Sequence, residues 1–359
     1  MSLFDELKGI PQNEWRYYEE IDYFGYEAAI ADPLNFIESY FYYAGKNNFL
    51  YDSLYDFNQI NNIEQNKRAS HTVNTFFLGL YFKEKIDFLK PNSNSFLSTE
   101  NNFVWAWFLC SLYHDAFFNI NKETSLKYNY DFYSRGLLYN CDLIKRYYEK
   151  EKDPKTSHNN KTNYDHGIVS AEKLYTNYIN MIVEIINNNP NAFEDFIANK
   201  DLKYCNLKIN FPTLRAVCKI AKIIACHNIF NSKEATVEYN NLQELVKGDI
   251  GFNYMPKAKN QHPLNSYEKL YFLLALVDTL EPSKREIELK EIDIQVDENQ
   301  HGMYDLHINL PTNNGERERY FNGISQLKDW LNFIDVSEDN RTIHINFFHN
   351  KNYLCCEFV

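Results

Sequence analysis

The feature that most constrains this chain is a set of histidines and aspartates inside segments that are otherwise almost entirely apolar. His114 and Asp115 end one such run, at 103–115, and Asp278 directly follows the apolar stretch 270–277. A helix that is apolar nearly all round is a buried helix. Because an unpaired carboxylate in apolar surroundings costs several kcal/mol, each of these polar side chains requires a partner.

Six side chains share this setting and fall on five separate predicted helices: His71, His114, Asp115, His166, His227 and Asp278. A single histidine on an apolar helix is more often a hydrogen-bonded core residue than a ligand, so the argument rests on the whole set. A divalent cation shared among imidazoles and carboxylates would remove the burial cost and hold several helices together. Neutral imidazole with carboxylate suits Fe, Mn, Zn or Co better than Ca or Mg.

The chain is predicted to be mainly α, with a small α/β appendage at its C-terminus. Apolar periodicity predicts helices over 68–84, 101–118, 131–149, 166–187, 213–230 and 266–281. Polar segments at 150–164 and 231–265 are predicted loops, and the second is long enough to form a lid.

After Pro282 the pattern changes to alternation. Segments 286–297, 303–310 and 342–348 read as antiparallel strands, the first with a one-residue slip that suggests a bulge. The segment 323–334 reads as an amphipathic helix. The predicted domains are an N-terminal helical extension at 1–60 packed on the core, a main helical domain at 61–285 and the appendage at 286–359.

Composition excludes several classes of protein. The formal net charge of −12, from 37 Lys+Arg against 49 Asp+Glu, argues against holding long duplex nucleic acid by charge. The longest apolar runs are too short to cross a bilayer, and the first 25 residues lack the apolar core of a secretory signal. Seven cysteines without a framework spacing fit a reducing compartment, so the cytoplasm is the predicted location.

The order His, His-Asp, His, His, Asp resembles the HD superfamily of metal-dependent phosphohydrolases over roughly residues 65–285. The sequence Asp-His-Gly-Ile-Val-Ser-Ala at 165–171 resembles a helix start of two-metal members. The sequence Asp-Thr-Leu-Glu-Pro-Ser-Lys-Arg at 278–285 resembles the Asp-x-x-Glu-Pro-x-x-Arg ending of the dinucleoside-tetraphosphate hydrolase branch.

This resemblance implies a helical bundle of HD-domain type and a dinuclear site of divalent transition metals, with Fe, Mn, Zn or Co favoured over Mg. His71, His114, Asp115 and Asp278 would bind the first ion. His166 and His227 would bind the second, with Asp115 bridging. His114 and Asp115 would be the catalytic pair, and a metal-activated hydroxide would hydrolyse a phosphoester or phosphoanhydride bond.

The chain also departs from the family pattern. Many members carry a Lys three residues after the Asp, where this chain has Phe118, and Asn228 follows His227 where some relatives have a further His. We expect substrate contacts from Arg68, Asn119, Lys284 and Arg285, because guanidinium matches phosphate bidentately and an amide can donate to it. The alternative for each cation is an ordinary solvated surface position.

Three functions compete. The first is hydrolysis of a nucleotide or another small phosphorylated metabolite, favoured by the acidic balance and the lid-like segment. The second is a single-strand nuclease or cyclic (oligo)nucleotide phosphodiesterase, which would need a basic, aromatic-lined channel; no Lys/Arg cluster is present in the sequence. The third is a metal or nucleotide sensor without turnover. A membrane partner is not expected, and a homo-oligomer remains open.

Among the histidines outside this set, two lie on the polar face of the predicted sheet. His307 and His344 are expected to be solvent-exposed and could meet across strands, but the sequence does not favour a metal site there. Cys355 and Cys356 could bind metal only with partners that the sequence does not identify.

Overall fold

The computed structural model describes residues 1–11, 25–37, 62–116, 166–189, 191–198, 200–204, 207–227, 237–238, 240–242, 245, 266–282, 287–298, 303–310, 314–331, 334–339 and 342–348. The predicted helix at 131–149, the predicted loop at 150–164 and most of the predicted lid at 231–265 lie outside these residues.

The described segments are mainly helical. The helices are α1 (Leu3–Lys8), α2 (Tyr26–Ala31), α3 (Asn62–Lys85), α4 (Glu100–Tyr113), α5 (His166–Asn188), α6 (Ala192–Ile197), α7 (Phe211–Cys226), α8 (Ser266–Leu280), α9 (Asn314–Ser325) and α10 (Leu327–Trp330). None of them combines the length and the apolar character that a membrane span requires.

The start of α7 shows how local sequence sets a helix boundary. The Asn210 side chain accepts from the Thr213 amide at 2.9 Å, and the Thr213 hydroxyl accepts from the Asn210 amide at 2.9 Å. This reciprocal capping satisfies two backbone donors that a helix start leaves open. Pro212 in the first turn has no such donor to satisfy, so the helix begins at Phe211 rather than at the predicted 213.

Helices α3 and α4 pack closely through one aromatic side chain. Trp107 is fully buried, and its indole Nε1 donates to the Phe76 carbonyl at 2.8 Å. A Cβ placed on Gly79 would lie 2.0 Å from the Trp107 ring. Glycine at this position therefore lets the ring lie directly on the α3 backbone, which fixes the approach of the two helices.

The C-terminal appendage contains a four-stranded antiparallel sheet. Its strands are β3 (Asp293–Glu298), β4 (Met303–Asn309), β5 (Ile334–Asp339) and β6 (Thr342–Phe348), in the order β3-β4-β6-β5. Apolar residues of each strand alternate onto the face that packs inward, as in Leu306 and Ile345. The prediction of a mainly α protein with a small C-terminal sheet and helix is confirmed. A short hairpin of β1 (Leu202–Tyr204) and β2 (Leu207–Ile209) was not predicted.

Two details of the predicted appendage are wrong. The slip before β3 is a 3-10 turn at Leu289–Glu291, not a bulge, and the strand begins only at Asp293. The helix predicted at 323–334 is instead α9 followed by the short α10, and its last apolar position, Ile334, starts β5. Ile334 satisfies the helical period, but it is buried by alternating with Val336 in a strand.

The sheet docks against the helical body beside the end of α8. Tyr304 and Phe347 stack with ring centroids 5.4 Å apart, and Phe272 of α8 packs 5.5 Å from Phe347. The Tyr320 hydroxyl donates to the Leu280 carbonyl at 2.5 Å, and the Tyr81 hydroxyl donates to the Ile294 carbonyl at 2.9 Å. The appendage therefore braces the helix that carries Asp278.

Candidate metal centre

The structure brings together all six histidines and aspartates that the sequence singled out. His71 lies within α3, Asp278 lies in the last turn of α8 and His166 is the first residue of α5. His114 with Asp115, and His227, directly follow the ends of α4 and α7. Every one of the six is at most 8% exposed.

The first group of atoms surrounds a point between α3, α4 and α8. His71 Nε2 lies 3.0 Å from His114 Nε2, and each of these nitrogens lies 3.2 Å from Asp278 Oδ1. Asp115 Oδ2 lies 3.6 Å from the His71 nitrogen and 3.8 Å from that of His114. These four buried residues could hold a metal ion.

Hydrogen bonds on the far side of both rings assign their tautomers. His71 Nδ1 lies 3.0 Å from Glu281 Oε2, and His114 Nδ1 lies 2.9 Å from the Ser111 carbonyl oxygen. Carboxylate and carbonyl oxygens only accept, so Nδ1 carries the proton in each neutral ring and Nε2 presents a lone pair. In their neutral forms, the two imidazoles thus direct their lone pairs at the same point as the carboxyl oxygens of Asp115 and Asp278.

The charge state of His114 agrees with this assignment. Burial lowers the pKa of His114, although the nearby carboxylates of Asp115 and Asp278 act in the opposite direction. A neutral ring is the form that binds a metal. Without a cation, the ring nitrogens of His71 and His114 and the oxygen of Asp278 repel one another as acceptors. A cation bound between them would attract all three atoms.

The second group uses the other oxygen of Asp115. His166 Nε2 lies 2.8 Å from Asp115 Oδ1, and His227 Nε2 lies 3.7 Å from the same atom. The imidazole planes of His166 and His227 meet edge to face, with ring centroids 5.2 Å apart. These three buried residues form a second group that could hold a metal ion, and Asp115 lies between the two groups.

His227 supplies the clearest test of whether a cation fits. Its Nδ1 donates to the Ile224 carbonyl at 2.6 Å, so in the neutral ring the lone pair is on Nε2. That Nε2 is buried and has no hydrogen-bond partner among the described residues. Buried polar atoms are almost always satisfied, so an orphaned lone pair aimed at a carboxylate is the donor set expected of a metal ligand.

Burial acts to lower the pKa of both rings of this group, but the net shifts have opposite directions. Burial lowers the pKa of His166 to about 4, against the attraction of Asp115. For His227, burial also acts to lower the pKa, but Asp115 and Asp278 outweigh it and the pKa is raised. The His166 ring is therefore held neutral, whereas the carboxylates of Asp115 and Asp278 favour positive charge at His227, either as a proton on Nε2 or as a cation beside it.

Arg68 lies at the edge of the centre. Its Nη1 donates to Asp115 Oδ2 at 2.7 Å, and its side chain is 16% exposed. Arg68 precedes His71 by nearly one helical turn, so both face the same side of α3. The predicted substrate contact thus lies on the carboxylate that joins the two groups, and substrate binding by Arg68 stays a prediction.

Three buried polar residues outside the predicted set support His71. Glu281 is fully buried and accepts from Asn74 Nδ2 at 2.8 Å through the carboxylate oxygen that does not contact His71. Asn74 in turn accepts from the Tyr26 hydroxyl at 2.8 Å. The sequence analysis did not predict this series of hydrogen bonds. Two features of the sequence could have indicated it: Asn74 follows His71 by three residues, and Glu281 belongs to a Glu-Pro dipeptide soon after Asp278.

The start of α5 needs a glycine to approach α7. A Cβ on Gly167 would lie 2.7 Å from the Ile224 carbonyl oxygen and 2.8 Å from His227 Nδ1. The same carbonyl accepts the hydrogen bond that orients His227. Gly167 therefore allows His166 and His227 to reach the same carboxylate.

The remaining predicted positions lie outside the described residues. These are Asn119, Lys284 and Arg285 as substrate contacts, Phe118 and Asn228 as departures from the family pattern, and Cys355 and Cys356.

Comparisons with family models, with curated proteins and with solved structures found no match for this chain. The site is therefore interpreted from its own geometry. The protein is helical and contains two adjoining buried groups of histidine and aspartate. Each group could hold a metal ion.

Proposed function

We propose that this protein is a metal-dependent phosphohydrolase acting on a nucleotide or a similar small phosphorylated metabolite. The observation that carries the proposal is the convergence of four imidazole Nε2 atoms on the two oxygens of Asp115 in a buried site. In this proposal His71, His114, Asp115 and Asp278 would hold one divalent transition metal ion, and His166, His227 and Asp115 would hold another.

The chemistry that such cations supply when bound is polarisation of a phosphoryl oxygen and activation of water as a nucleophile. The residues of the chain supply the rest. Glu281 and the Ser111 carbonyl fix the tautomers of His71 and His114, so that lone pairs and not protons face the site. Burial of all six side chains keeps the local dielectric low, which strengthens every charge interaction there.

Arg68 has a second role in this proposal. In the absence of cations its guanidinium balances the Asp115 carboxylate at 2.7 Å. When that carboxylate is neutralised by cations, the guanidinium can instead pair with a substrate phosphate, to which its planar fork is matched. Arg68 would then orient the substrate at the partly exposed edge of the site.

The proposal is tested with purified full-length protein treated with chelator and then given Mn²⁺, Fe²⁺, Zn²⁺ or Co²⁺. We expect two ions per chain and release of phosphate or a nucleoside monophosphate from a member of a nucleotide panel. Single-stranded oligonucleotides and cyclic dinucleotides in the same panel test the nuclease and phosphodiesterase alternatives. Release from those substrates alone would replace the proposed substrate class.

The matched variants are Asp115→Asn in the centre and Asp87→Asn on an exposed turn. Asp87 is an exposed partner of Lys90, so its loss leaves the centre unchanged. We expect Asp115→Asn to abolish turnover and to reduce bound metal, while Asp87→Asn behaves like the unmodified protein. Equal turnover in Asp115→Asn, with the fold retained, would contradict the assignment.

A further inference from the structure

The outer face of the C-terminal sheet carries a third group of side chains that could hold a metal ion: Asp305, His307 and His344. These residues are far along the chain from those of the buried centre. In the sheet register, His307 of β4 lies directly opposite His344 of β6. Asp305 precedes His307 by two residues in β4, so both side chains lie on the same face of the sheet. On the other side of β4, Asp297 of β3 lies directly opposite Asp305. Cross-strand neighbours on one face have their Cβ atoms about 4.5–5.5 Å apart, close enough to share a ligand.

The side chains converge in the structure. His307 Nε2 lies 3.4 Å from Asp305 Oδ2 and 3.2 Å from Asp297 Oδ2, and His344 Nδ1 lies 3.6 Å from Asp305 Oδ1. The two imidazole rings meet edge to face with centroids 4.8 Å apart. Ligand atoms of Asp305, His307 and His344 all lie within 4.8 Å of one another.

Among the described residues, the ionisable partners of these carboxylates are the imidazoles of His307 and His344. Asp297 and Asp305 are directly opposed, and like charges in that position destabilise a sheet. Within the described residues, neither carboxylate has a Lys or Arg partner, whereas Asp335 on the same face pairs with Lys328 at 3.1 Å. Asp305 Oδ1 is also inaccessible to solvent and accepts no hydrogen bond from any described group. A bound cation would relieve both the repulsion and the unsatisfied oxygen.

We propose that Asp305, His307 and His344 form a surface site for a divalent transition metal ion, separate from the buried centre. Two imidazoles with one carboxylate suit Zn²⁺, Ni²⁺, Co²⁺ or Cu²⁺ and not Ca²⁺ or Mg²⁺. The His307 and His344 side chains are 27% and 21% exposed, so the ion is reached directly from solvent. Three ligands from one face leave coordination positions open, and the ion would tie β4 to β6.

The test uses Ni²⁺ and the untagged full-length chain after chelator treatment. Equilibrium dialysis should show one Ni²⁺ fewer per chain in His307→Gln and in His344→Gln than in the unmodified protein. Because even an outer-shell partner contributes roughly 10- to 100-fold to metal affinity, losing a direct imidazole should weaken this site by about 100-fold or more. Ser337→Ala and Asn346→Ala, which alter the same face without removing a ligand, should bind Ni²⁺ like the unmodified protein.

Retention on an immobilised nickel matrix provides a second measurement, because a buried centre cannot reach an ion held by a resin. We expect His307→Gln and His344→Gln to elute earlier than the two control variants, with circular dichroism showing the same fold. If both histidine variants bind as much Ni²⁺ as the unmodified protein and elute with it, the imidazoles serve only as partners of the neighbouring carboxylates and the site does not exist. This outcome would leave the buried centre and its proposed activity untouched.

Discussion

Replacing Glu281 by Gln tests whether the tautomer of His71 prepares the buried centre for metal. Glu281 is fully buried and accepts two hydrogen bonds, from Asn74 Nδ2 at 2.8 Å and from His71 Nδ1 at 3.0 Å. Glutamine has the same shape but only one acceptor oxygen, so one of the two donors must face an N–H group. If that donor is His71, the imidazole proton moves to Nε2, where it points at Asp278 Oδ1 and blocks the lone pair.

The magnitude follows from the position of Glu281 behind a ligand. Outer-shell partners contribute roughly 10- to 100-fold to metal affinity, which corresponds to about 1.4 to 2.8 kcal/mol. We therefore expect Glu281→Gln to weaken metal binding by that factor. Glu281→Ala should also lower the free energy of unfolding by about 2 to 6 kcal/mol, because it leaves two buried donors without an acceptor at about 1 to 3 kcal/mol each.

The assay is titration of chelator-treated protein with Zn²⁺ or Mn²⁺ against a competing chelator, combined with denaturant unfolding. The control is Glu268→Gln, the same chemical change on α8 but roughly three helical turns from the centre. Metal affinity of Glu281→Gln equal to that of the unmodified protein, with the fold retained, would refute the reasoning that a carboxylate behind His71 sets its ligand lone pair.

Three further predictions concern the same centre. Gly167→Ala should destabilise the protein by about 1 to 3 kcal/mol and weaken metal binding, because the Cβ of the alanine would overlap the Ile224 carbonyl and His227. Unchanged thermal unfolding and an unchanged metal titration would contradict this prediction. Metal at 100 times its dissociation constant should stabilise the folded chain by about 2.7 kcal/mol per site, seen as a higher Tm after Mn²⁺ is added to chelator-treated protein; an identical Tm would count against a native site. The metal-free protein should lose stability as the pH falls from about 6.5 towards 4, because burial lowers the pKa values of His114 and His166, the latter to about 4, so the unfolded chain takes up protons that the folded chain does not. His227, whose pKa is raised from 6.5, contributes stability that is fully present below that pH and is lost as the pH rises above it, so it does not oppose this decline. Denaturant unfolding between pH 6.5 and 4 that shows no decline would contradict the assignment.

The helical body was predictable because its signals are local. Long apolar segments broken by polar loops predicted the helices α3, α4, α5, α7 and α8. Most of their ends lie within a few residues of the predicted positions. The largest boundary differences are at the start of α3, which lies at Asn62 and not at 68, and at the end of α4, which lies at Tyr113 and not at 118, with a turn through 114–116. That turn carries His114 and Asp115.

The six candidate ligands were predictable for an energetic reason. A histidine or aspartate in an apolar helix is costly unless it has a partner, so its presence marks a position where tertiary structure must provide one. The supporting residues were marked less clearly. The spacing of Asn74 from His71 and the Glu-Pro dipeptide at 281–282 were visible, but only contacts in space connect Asn74 and Tyr26 to Glu281 and His71.

The appendage shows the limit of periodicity. Ile334 fits a helical repeat with Leu327 and Leu331, yet it pairs with Phe347 as the first residue of β5. Whether a short apolar spacing is satisfied by a helix or by a strand depends on which neighbour covers it, and that neighbour is distant in the chain. The direct pairing of His307 with His344 likewise depends on a strand register that alternation alone does not fix.

The amino-acid sequence by itself determined the class of fold and the identity of the buried polar residues, because burial cost belongs to each residue type; the kind of ion that they would suit stays a prediction. Only the tertiary structure decided which atoms of those residues meet. Three features depend on distances between helices and strands. One oxygen of Asp115 faces each of the two histidine groups, Glu281 and the Ser111 carbonyl hold the protons of His71 and His114 on Nδ1, and two histidines meet on the outer face of the sheet. Such distances are set by packing across the whole chain, of which Gly167 against Ile224 is one example, and no local pattern encodes them.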